Sequence, residues 1–204
     1  MFNTIFKKLT PDCESGVLEQ TIQLAVELAR EGREGRRIGT IFVVGDEEAA
    51  MKESRPLILD PLQGHPSDDK TIYDSNMRET AKELAQLDGA FIVSADGIIL
   101  SAARYISADS AGIDIPLGLG ARHMAAAALT RATRSVAVVV SQTCVVRIFY
   151  RGLIIAEVIP DIWMLGQESI QIDGPYMERN ISGLRIFSSE LTEESLAVKP
   201  NSSK

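Results

Sequence analysis

The feature that most constrains the fold is a pair of apolar runs, "AFIVSA" and "IILSA", separated only by Asp96 and Gly97. Strand-forming runs joined by Asp-Gly predict a β-hairpin, here over residues 90–103, with the Asp-Gly pair as its tight turn. Other strand-like runs are "IGTIFVVG" before it and "SVAVVVS", "CVVRIFY" and "LIIAEV" after it. Arg151 and Gly152 join the last two and predict another tight turn. The sequence therefore predicts a sheet at the centre of the fold.

Helical patterns accompany these strands. Thr10 followed by Pro11 predicts a helix start. The apolar residues that follow recur at helical spacing, namely Leu18, Ile22, Ala25 and Ala29. Further helices are predicted at about 69–87 and over the alanine-rich "ARHMAAAALTRA". Because helices and strands do not alternate regularly, we expect an α/β fold with a mixed, mostly antiparallel central sheet and helices packed on its faces.

Three regions are predicted along the chain. Residues 1–37 form an N-terminal helical segment that packs on the domain, and residues 38–165 form the main domain. Hydrophobic density drops after Trp163, and we expect residues 166–204 to be an extension that is partly disordered. The stretch between the first strand and the helix at 69–87 is rich in proline and is predicted to be mostly loop.

Charge and composition limit the partners. A net charge of -7 argues against a nucleic-acid polymer, because such binding depends on neutralising phosphates. The two cysteines, Cys13 and Cys144, have no metal or redox spacing, which indicates a reducing compartment. No apolar run approaches the length of a membrane span, and the first residues lack the apolar core of a signal peptide. We expect a cytoplasmic protein without membrane contact.

Asp88 is the first residue that could carry chemistry. It follows the helix predicted at 69–87 and precedes the strand that begins "AFIV". A carboxylate near the C-terminal end of a helix is electrostatically unfavourable unless something compensates it. An ionised carboxylate at the rim of a sheet suits a metal ligand better than a general base, and the alternative is an ordinary turn residue.

The second candidate region is "GLGARHMAAAALTRA". Gly118 and Gly120 allow a close approach to the backbone, and Arg122 and His123 open the following helix. The N-terminus of a helix favours anions, so an arginine there is unfavourable alone and favourable beside a phosphate. The alternatives are a surface salt bridge for Arg122 and a structural role for His123. Neither of the two common glycine-rich phosphate loops occurs in the chain, and we interpret His65 as a surface residue.

These segments resemble the diadenylate cyclase domain family over roughly residues 15–160. The family has an Asp-Gly-Ala triplet, present here as Asp88-Gly89-Ala90, and a Gly-Thr-Arg-His-Arg segment, matched by "GARHM" at 120–124. The resemblance implies an enzyme that condenses two ATP molecules into cyclic di-AMP and two pyrophosphates with Mg²⁺ or Mn²⁺. It implies that Asp88 holds the metal and orients the ribose 3'-hydroxyl, and that Arg122 and His123 lie on the triphosphate and act in catalysis. The substrate-binding residues implied are Gly89, Ala90, Ile106, Gly120, Ala121, Arg122, His123 and Ser141.

Three positions depart from the family pattern. Ala121 replaces a threonine, Met124 replaces the second arginine, and Ser141 is followed by Gln142 and Thr143 where the family often has acidic residues. Arg131, Arg134 or a partner chain could supply the missing charge. The alternative function is therefore a weak or inactive module of the same fold that binds nucleotides or cyclic dinucleotides. Because the chain has one copy of each motif, a cyclase would act as a homo-oligomer with active sites facing each other.

Overall fold

The structure is a computed structural model. It describes residues 16–160 and the strands at 176–181 and 184–189. The helix start predicted at Thr10 and Pro11 and most of the predicted extension lie outside the described residues. The helices are α1 (Val17–Glu31), α2 (Glu47–Lys52), α3 (Ser75–Leu84) and α4 (Ala121–Ala132), with a short 3₁₀ helix at Ser67–Lys70. The strands are β1 (Thr40–Val44), β2 (Ser54–Pro56), β3 (Ala90–Val93), β4 (Ile99–Ile106), β5 (Val136–Val140), β6 (Val146–Tyr150) and β7 (Leu153–Val158).

Strands β1 to β7 form one seven-stranded sheet in the order β2-β4-β3-β1-β5-β6-β7. β1 pairs with β3 in parallel, and the other neighbours in the sheet are antiparallel. This confirms the predicted mixed, mostly antiparallel sheet. The predicted turn between β6 and β7 is also present, since Arg151 and Gly152 have φ angles of 51° and 80° as a tight hairpin turn requires.

Two hydrophobic layers cover the sheet because its strands alternate their side chains between the faces. Phe42 of β1 and Phe91 of β3 stack at 4.9 Å between ring centroids, on the face covered by α1 and α3. Ile41 and Val43 point to the opposite face, where the alanine-rich α4 packs. Small alanines bring α4 close to the sheet, and this places its N-terminus beside the starts of β1 and β3.

The hairpin of β3 and β4 is present, but its turn differs from the predicted two-residue turn. The Ser94 N–H donates to the Ile98 carbonyl at 2.9 Å, so Ala95, Asp96 and Gly97 form the loop. Gly97 has a φ of 92°, which suits the left-handed position of such a loop. The Ser94 hydroxyl accepts the Ile98 N–H and pairs with the Asp96 carboxylate, which stabilises the wider loop.

Other local differences come from capping and short elements. Helix α3 begins at Ser75, not near residue 69, because the Asp74 carboxylate accepts the Met77 N–H at 2.9 Å and caps the helix there. The stretch predicted to be mostly loop contains α2 and β2, which are too short for periodicity to detect. Within the helices of the described ranges, none is long and apolar enough to cross a lipid bilayer.

The chain divides into two compact units, residues 1–163 and residues 164–204. In the second unit, strands β8 (Tyr176–Ile181) and β9 (Leu184–Ser189) pair antiparallel, with Asn180 opposite Arg185. The sequence analysis did not predict this hairpin. The division into 1–37, 38–165 and 166–204 stays a prediction.

Candidate active site

A cavity of about 480 Å³ opens where the starts of β1 and β3 meet the N-terminus of α4. Every residue that the sequence analysis assigned to substrate or metal contributes to its wall, namely Asp88, Gly89, Ala90, Ile106, Gly120, Ala121, Arg122, His123 and Ser141. Residues far apart in the sequence therefore meet at one concave site, which is the usual form of a small-molecule site. Their individual roles stay predictions.

We call Asp88, Gly89 and Ala90 the acidic corner of this cavity. The Asp88 side chain is 78% exposed, so a ligand in the cavity can reach its carboxylate from solvent. Gly89 has a φ of 109°, and a Cβ on it would lie 2.8 Å from both the backbone N and O of Arg104. The Gly89 carbonyl accepts the Thr40 hydroxyl at 3.1 Å. The close approach of the neighbouring strand therefore requires glycine here, whatever ligand enters the cavity.

A β-bulge explains this close approach of β4 to Gly89. Ala90 pairs with Arg104 and Ile92 pairs with Ser101, so β4 carries an extra residue between these pairs. Ala103 takes a left-handed φ of 52° at this irregularity. The bulge brings the Arg104 backbone against Gly89 of the acidic corner.

We call residues 120–123 the basic corner. Gly120 precedes α4, has no side chain to cap the helix, and a Cβ on it would meet nothing within 4 Å. Arg122 is 38% exposed, and its Nη2 lies 2.9 Å from Oδ1 of Asp88. The salt bridge that the sequence left as the alternative for Arg122 is therefore present. A carboxylate after one helix and a guanidinium at the start of another, each unfavourable alone, compensate each other.

Space for the Arg122 guanidinium depends on another glycine. A Cβ on Gly39 would lie 3.1 Å from Nη1 of Arg122, because the guanidinium passes over the chain just before β1. The Nε atom of Arg122 is buried and has no partner among the described residues. Asp88 therefore uses only part of the N–H donors of the Arg122 guanidinium, which leaves donors for an anion in the cavity.

His123 is only 7% exposed, with its ring 6.1 Å from that of Phe149. Its Nε2 lies 3.3 Å from Nη1 of Arg147 on β6, and the buried Nδ1 has no partner among the described residues. Burial lowers the pKa of His123 from its ordinary value of 6.5, and the charges of Arg147 and Arg122 lower it further, against Glu157. His123 is consequently neutral near pH 7. It is buried as a structural histidine would be, but among the described residues its Nδ1 lacks the partner that such a role requires.

Some wall residues were not identified from the sequence. Tyr105 is 49% exposed beside Ile106, and the Arg55 guanidinium lies 4.8 Å from its ring centroid. Arg104 is buried and bonds Ser54 through its Nε at 2.8 Å. The available sequence signal for Tyr105 was an aromatic residue just after the predicted hairpin. Arg104 lies in the bulged part of β4, and no local sequence pattern indicated that bulge.

The arginines considered as replacements for the missing charge lie elsewhere. Arg131 donates to the carbonyls of Asp109 and Ala111 at 2.8 and 2.9 Å, and so holds the loop before α4. Arg134 is exposed, and its backbone N–H donates to Asp46. Neither residue belongs to the cavity wall. The turn after Ser141 contributes Gln142 and Thr143 to the wall, without a carboxylate.

The single carboxylate on the described cavity wall fits a divalent cation whose other ligands come from a bound phosphate compound and water. Among the described residues, no group of three or more His, Cys, Asp or Glu is arranged to bind a metal. Asp88 offers one exposed carboxylate on the wall. Mg²⁺ is commonly bound by one or two carboxylates together with substrate phosphates and water, which this arrangement permits.

Comparisons with known proteins agree on one family. The sequence model of the family DAC, described as DisA bacterial checkpoint controller nucleotide-binding, matches residues 27–154. A protein of Methanocaldococcus jannaschii named diadenylate cyclase is 44% identical over 161 residues, which are 78% of this chain and 49% of that protein. A protein of Haloferax volcanii with the same name is 39% identical over 151 residues, 74% of this chain and 55% of that protein. The chain thus spans about half the length of these curated relatives.

Solved structures show the same fold. DacA from Staphylococcus aureus, solved as a double cysteine mutant, superposes with a TM-score of 0.50 at 20% identity, covering 76% of this chain and 95% of that one. A hypothetical membrane spanning protein from Bacillus cereus gives a TM-score of 0.51 at 20% identity, covering 70% of this chain and 62% of that one. At such identity the likeness concerns the fold alone.

Proposed function

This chain belongs to the diadenylate cyclase (DAC) family, and from that membership we propose that it condenses two ATP molecules into cyclic di-AMP and two pyrophosphates. One observation carries the proposal. The Asp-Gly-Ala triplet and the Gly-Ala-Arg-His segment, far apart in sequence, line one cavity of about 480 Å³ and meet through the pair of Asp88 and Arg122. A carboxylate and a guanidinium on one wall suit the attacking hydroxyl and the phosphates of a nucleotide.

The reaction joins the 3'-oxygen of one nucleotide to the α-phosphorus of the other and breaks the bond to pyrophosphate. Negative charge grows on the phosphate and on the leaving pyrophosphate. In our proposal Arg122 binds this charge, with the N-terminus of α4 at Gly120 and Ala121 contributing its amides. Asp88 orients the 3'-hydroxyl, and Ile106 and Tyr105 offer an apolar wall to the adenine.

A Mg²⁺ or Mn²⁺ ion bound by Asp88 and the substrate phosphates would supply positive charge that stabilises the developing anion. The protein's own part is to hold the two nucleotides in line, and positioning of this kind accounts for much of phosphoryl-transfer catalysis. Because ATP is made and used in the cytoplasm, a cytoplasmic location is part of the proposal.

We also propose that two copies act together. The described chain offers one acidic corner and one basic corner, which serve one ATP. Cyclic di-AMP has two equivalent halves, so both bonds form if a second copy faces the first across a twofold axis. Leu57, an exposed apolar side chain of the cavity wall at 38%, suits such a contact.

The alternative is a module of the same fold that binds nucleotides without turnover. Ala121, Met124 and Gln142 favour it, because each stands where the resemblance implies a polar or charged partner. One hydrogen bond to a charged group is worth about 1.5–3 kcal/mol. Its loss would slow the reaction roughly ten- to a hundredfold, since each 1.36 kcal/mol is about tenfold in rate.

The test is incubation with ATP and Mg²⁺ or Mn²⁺ over a series of protein concentrations, with nucleotides resolved by ion exchange. We expect cyclic di-AMP, and an activity per chain that rises with concentration and levels off once dimers dominate. ATP binding without product would support the alternative module, and neither binding nor product would contradict both. Constant activity at concentrations where sedimentation finds only monomer would contradict the two-copy mechanism.

A further inference from the structure

A chain of charged side chains runs behind the basic corner, from the exposed Glu157 on β7 through the partly buried Arg147 on β6 to the buried His123. Arg147 of β6 has a side chain that is 15% exposed, and its Nε donates to Oε1 of Glu157 on β7 at 2.5 Å. Its Nη1 lies 3.3 Å from Nε2 of His123. Arg147 is not on the cavity wall, so it acts on a ligand only through the histidine.

This geometry restricts the histidine because a guanidinium has donors and no acceptor. The contact is a hydrogen bond only if Nε2 of His123 carries its lone pair, so that the ring proton sits on Nδ1. A protonated imidazolium would turn an N–H toward the N–H of Arg147 and place two positive charges side by side. Packing against Phe149 holds the ring in this orientation.

We propose that Arg147 is a positioning residue that keeps His123 neutral, with its proton on Nδ1, so that the ring serves the site as a hydrogen-bond donor and not as a cation or a base. The inference rests on the proposed function and deepens it. Nδ1 of His123 is buried and has no partner among the described residues, and His123 belongs to the cavity wall. In this proposal a ligand oxygen that enters beside the basic corner accepts the Nδ1 proton. Met124 supplies no charge at the position after His123, and the guanidinium beside the ring comes from β6 instead.

The charged groups that face the ring agree with this assignment. Arg122, from the same helix, and Arg147, from β6, both disfavour the charged ring, and so does burial. Glu157, from β7, favours the charged ring but is paired with Arg147. Since the pKa is lowered, His123 stays neutral down to a more acid pH than an exposed histidine.

The experiment uses the full chain labelled with ¹⁵N-histidine. The chain has two histidines, so His123→Gln assigns the signals and the exposed His65 serves as the internal reference. Imidazole ¹⁵N shifts identify the tautomer, and a pH titration gives the midpoint for His123. In the wild type we expect the Nδ1–H form and a midpoint below the ordinary value of 6.5.

The variants separate a positioning role from a structural one. Arg147→Met should raise the midpoint of His123 and populate the Nε2–H form, whereas Arg147→Lys, which keeps a charged donor, should lie between it and the wild type. Arg134→Met removes a charge from an exposed arginine away from the ring and should change neither. For cyclase activity, kcat/KM should fall about tenfold in Arg147→Met, equivalent to about 1.4 kcal/mol, and more steeply as the pH falls.

Three results would overturn the proposal. They are an Nε2–H tautomer in the wild type, a wild-type midpoint at or above 6.5, and a tautomer and midpoint of His123 that do not change in Arg147→Met. If Arg147→Met does not fold, the wild-type tautomer and the Arg147→Lys titration decide. If the wild type forms no cyclic di-AMP, the proposed function fails, and the tautomer measurement still decides the role of Arg147.

Discussion

The acidic and basic corners of the cavity each contain a glycine, and the two glycines are there for different reasons. At the acidic corner, a Cβ on Gly89 would lie 2.8 Å from the backbone of Arg104, and its φ of 109° strains any other residue. At the basic corner, a Cβ on Gly120 meets nothing, and its φ of -95° is open to any residue. The protein itself therefore requires Gly89, whereas the space at Gly120 is left for whatever enters the cavity. Motif glycines that look alike in sequence can thus serve the fold or the ligand.

The largest effect should come from the carboxylate of the acidic corner. Asp88→Asn keeps the shape of the side chain but removes its charge, so we expect turnover to fall at least about a hundredfold. Because the side chain is 78% exposed, the thermal midpoint should hardly change. Cyclic di-AMP formation and thermal unfolding are measured on the same preparation. A variant that unfolds, or that cyclises ATP at the normal rate, would contradict the assignment.

The next effect should be one of stability and should distinguish the two glycines directly. Gly89→Ala adds both a backbone overlap and a strained φ, at a cost of about 2–5 kcal/mol in the free energy of unfolding. Gly120→Ala is its matched control and should change that free energy by less than about 0.5 kcal/mol. Urea denaturation measures both variants. Equal stability of the two would mean that the bulge in β4 does not press on Gly89.

Arg122 tests the ligand that the basic corner prefers. Arg122→Met should weaken ATP binding roughly ten- to a hundredfold, the value of one charged hydrogen bond. It should leave adenosine binding nearly unchanged, because adenosine has no phosphate. Calorimetric titration with both ligands gives the comparison, and Arg131→Met, which changes an arginine outside the cavity wall, is the control. Equal losses for ATP and adenosine would indicate a structural role for Arg122.

The smallest effect should be that of a methyl group in the open space of the basic corner. Gly120→Ala should fold normally and weaken ATP binding about tenfold, the lower end of what one methyl group changes in a binding site, because the cavity beside it is open. The same calorimetric titration measures it. An affinity equal to that of the wild type would show that the triphosphate lies away from Gly120, and the space beside it would then need another occupant.

Much of this architecture could be predicted from local patterns. The β3–β4 hairpin and the turn at Arg151 and Gly152 were predicted from apolar runs and turn-forming pairs, and the helix α4 was predicted from its alanine-rich sequence. Shorter elements such as α2 and β2 were missed, because a few residues carry no detectable period. The start of α3 was placed about six residues too early because the capping role of Asp74, which accepts the Met77 N–H, was not recognised.

By itself, the sequence determined where the longer strands and helices of the sheet domain lie, and it indicated the two motif segments whose residues line the cavity. Those properties depend on neighbours along the chain, through side-chain periodicity and turn chemistry. Only the tertiary structure decided three contacts: Asp88 pairs with Arg122 at 2.9 Å, the bulge in β4 packs the Arg104 backbone against Gly89, and Arg147 contacts His123 from outside the cavity wall. Those contacts join residues from different strands and helices, so they follow from sheet register and packing and not from any local pattern.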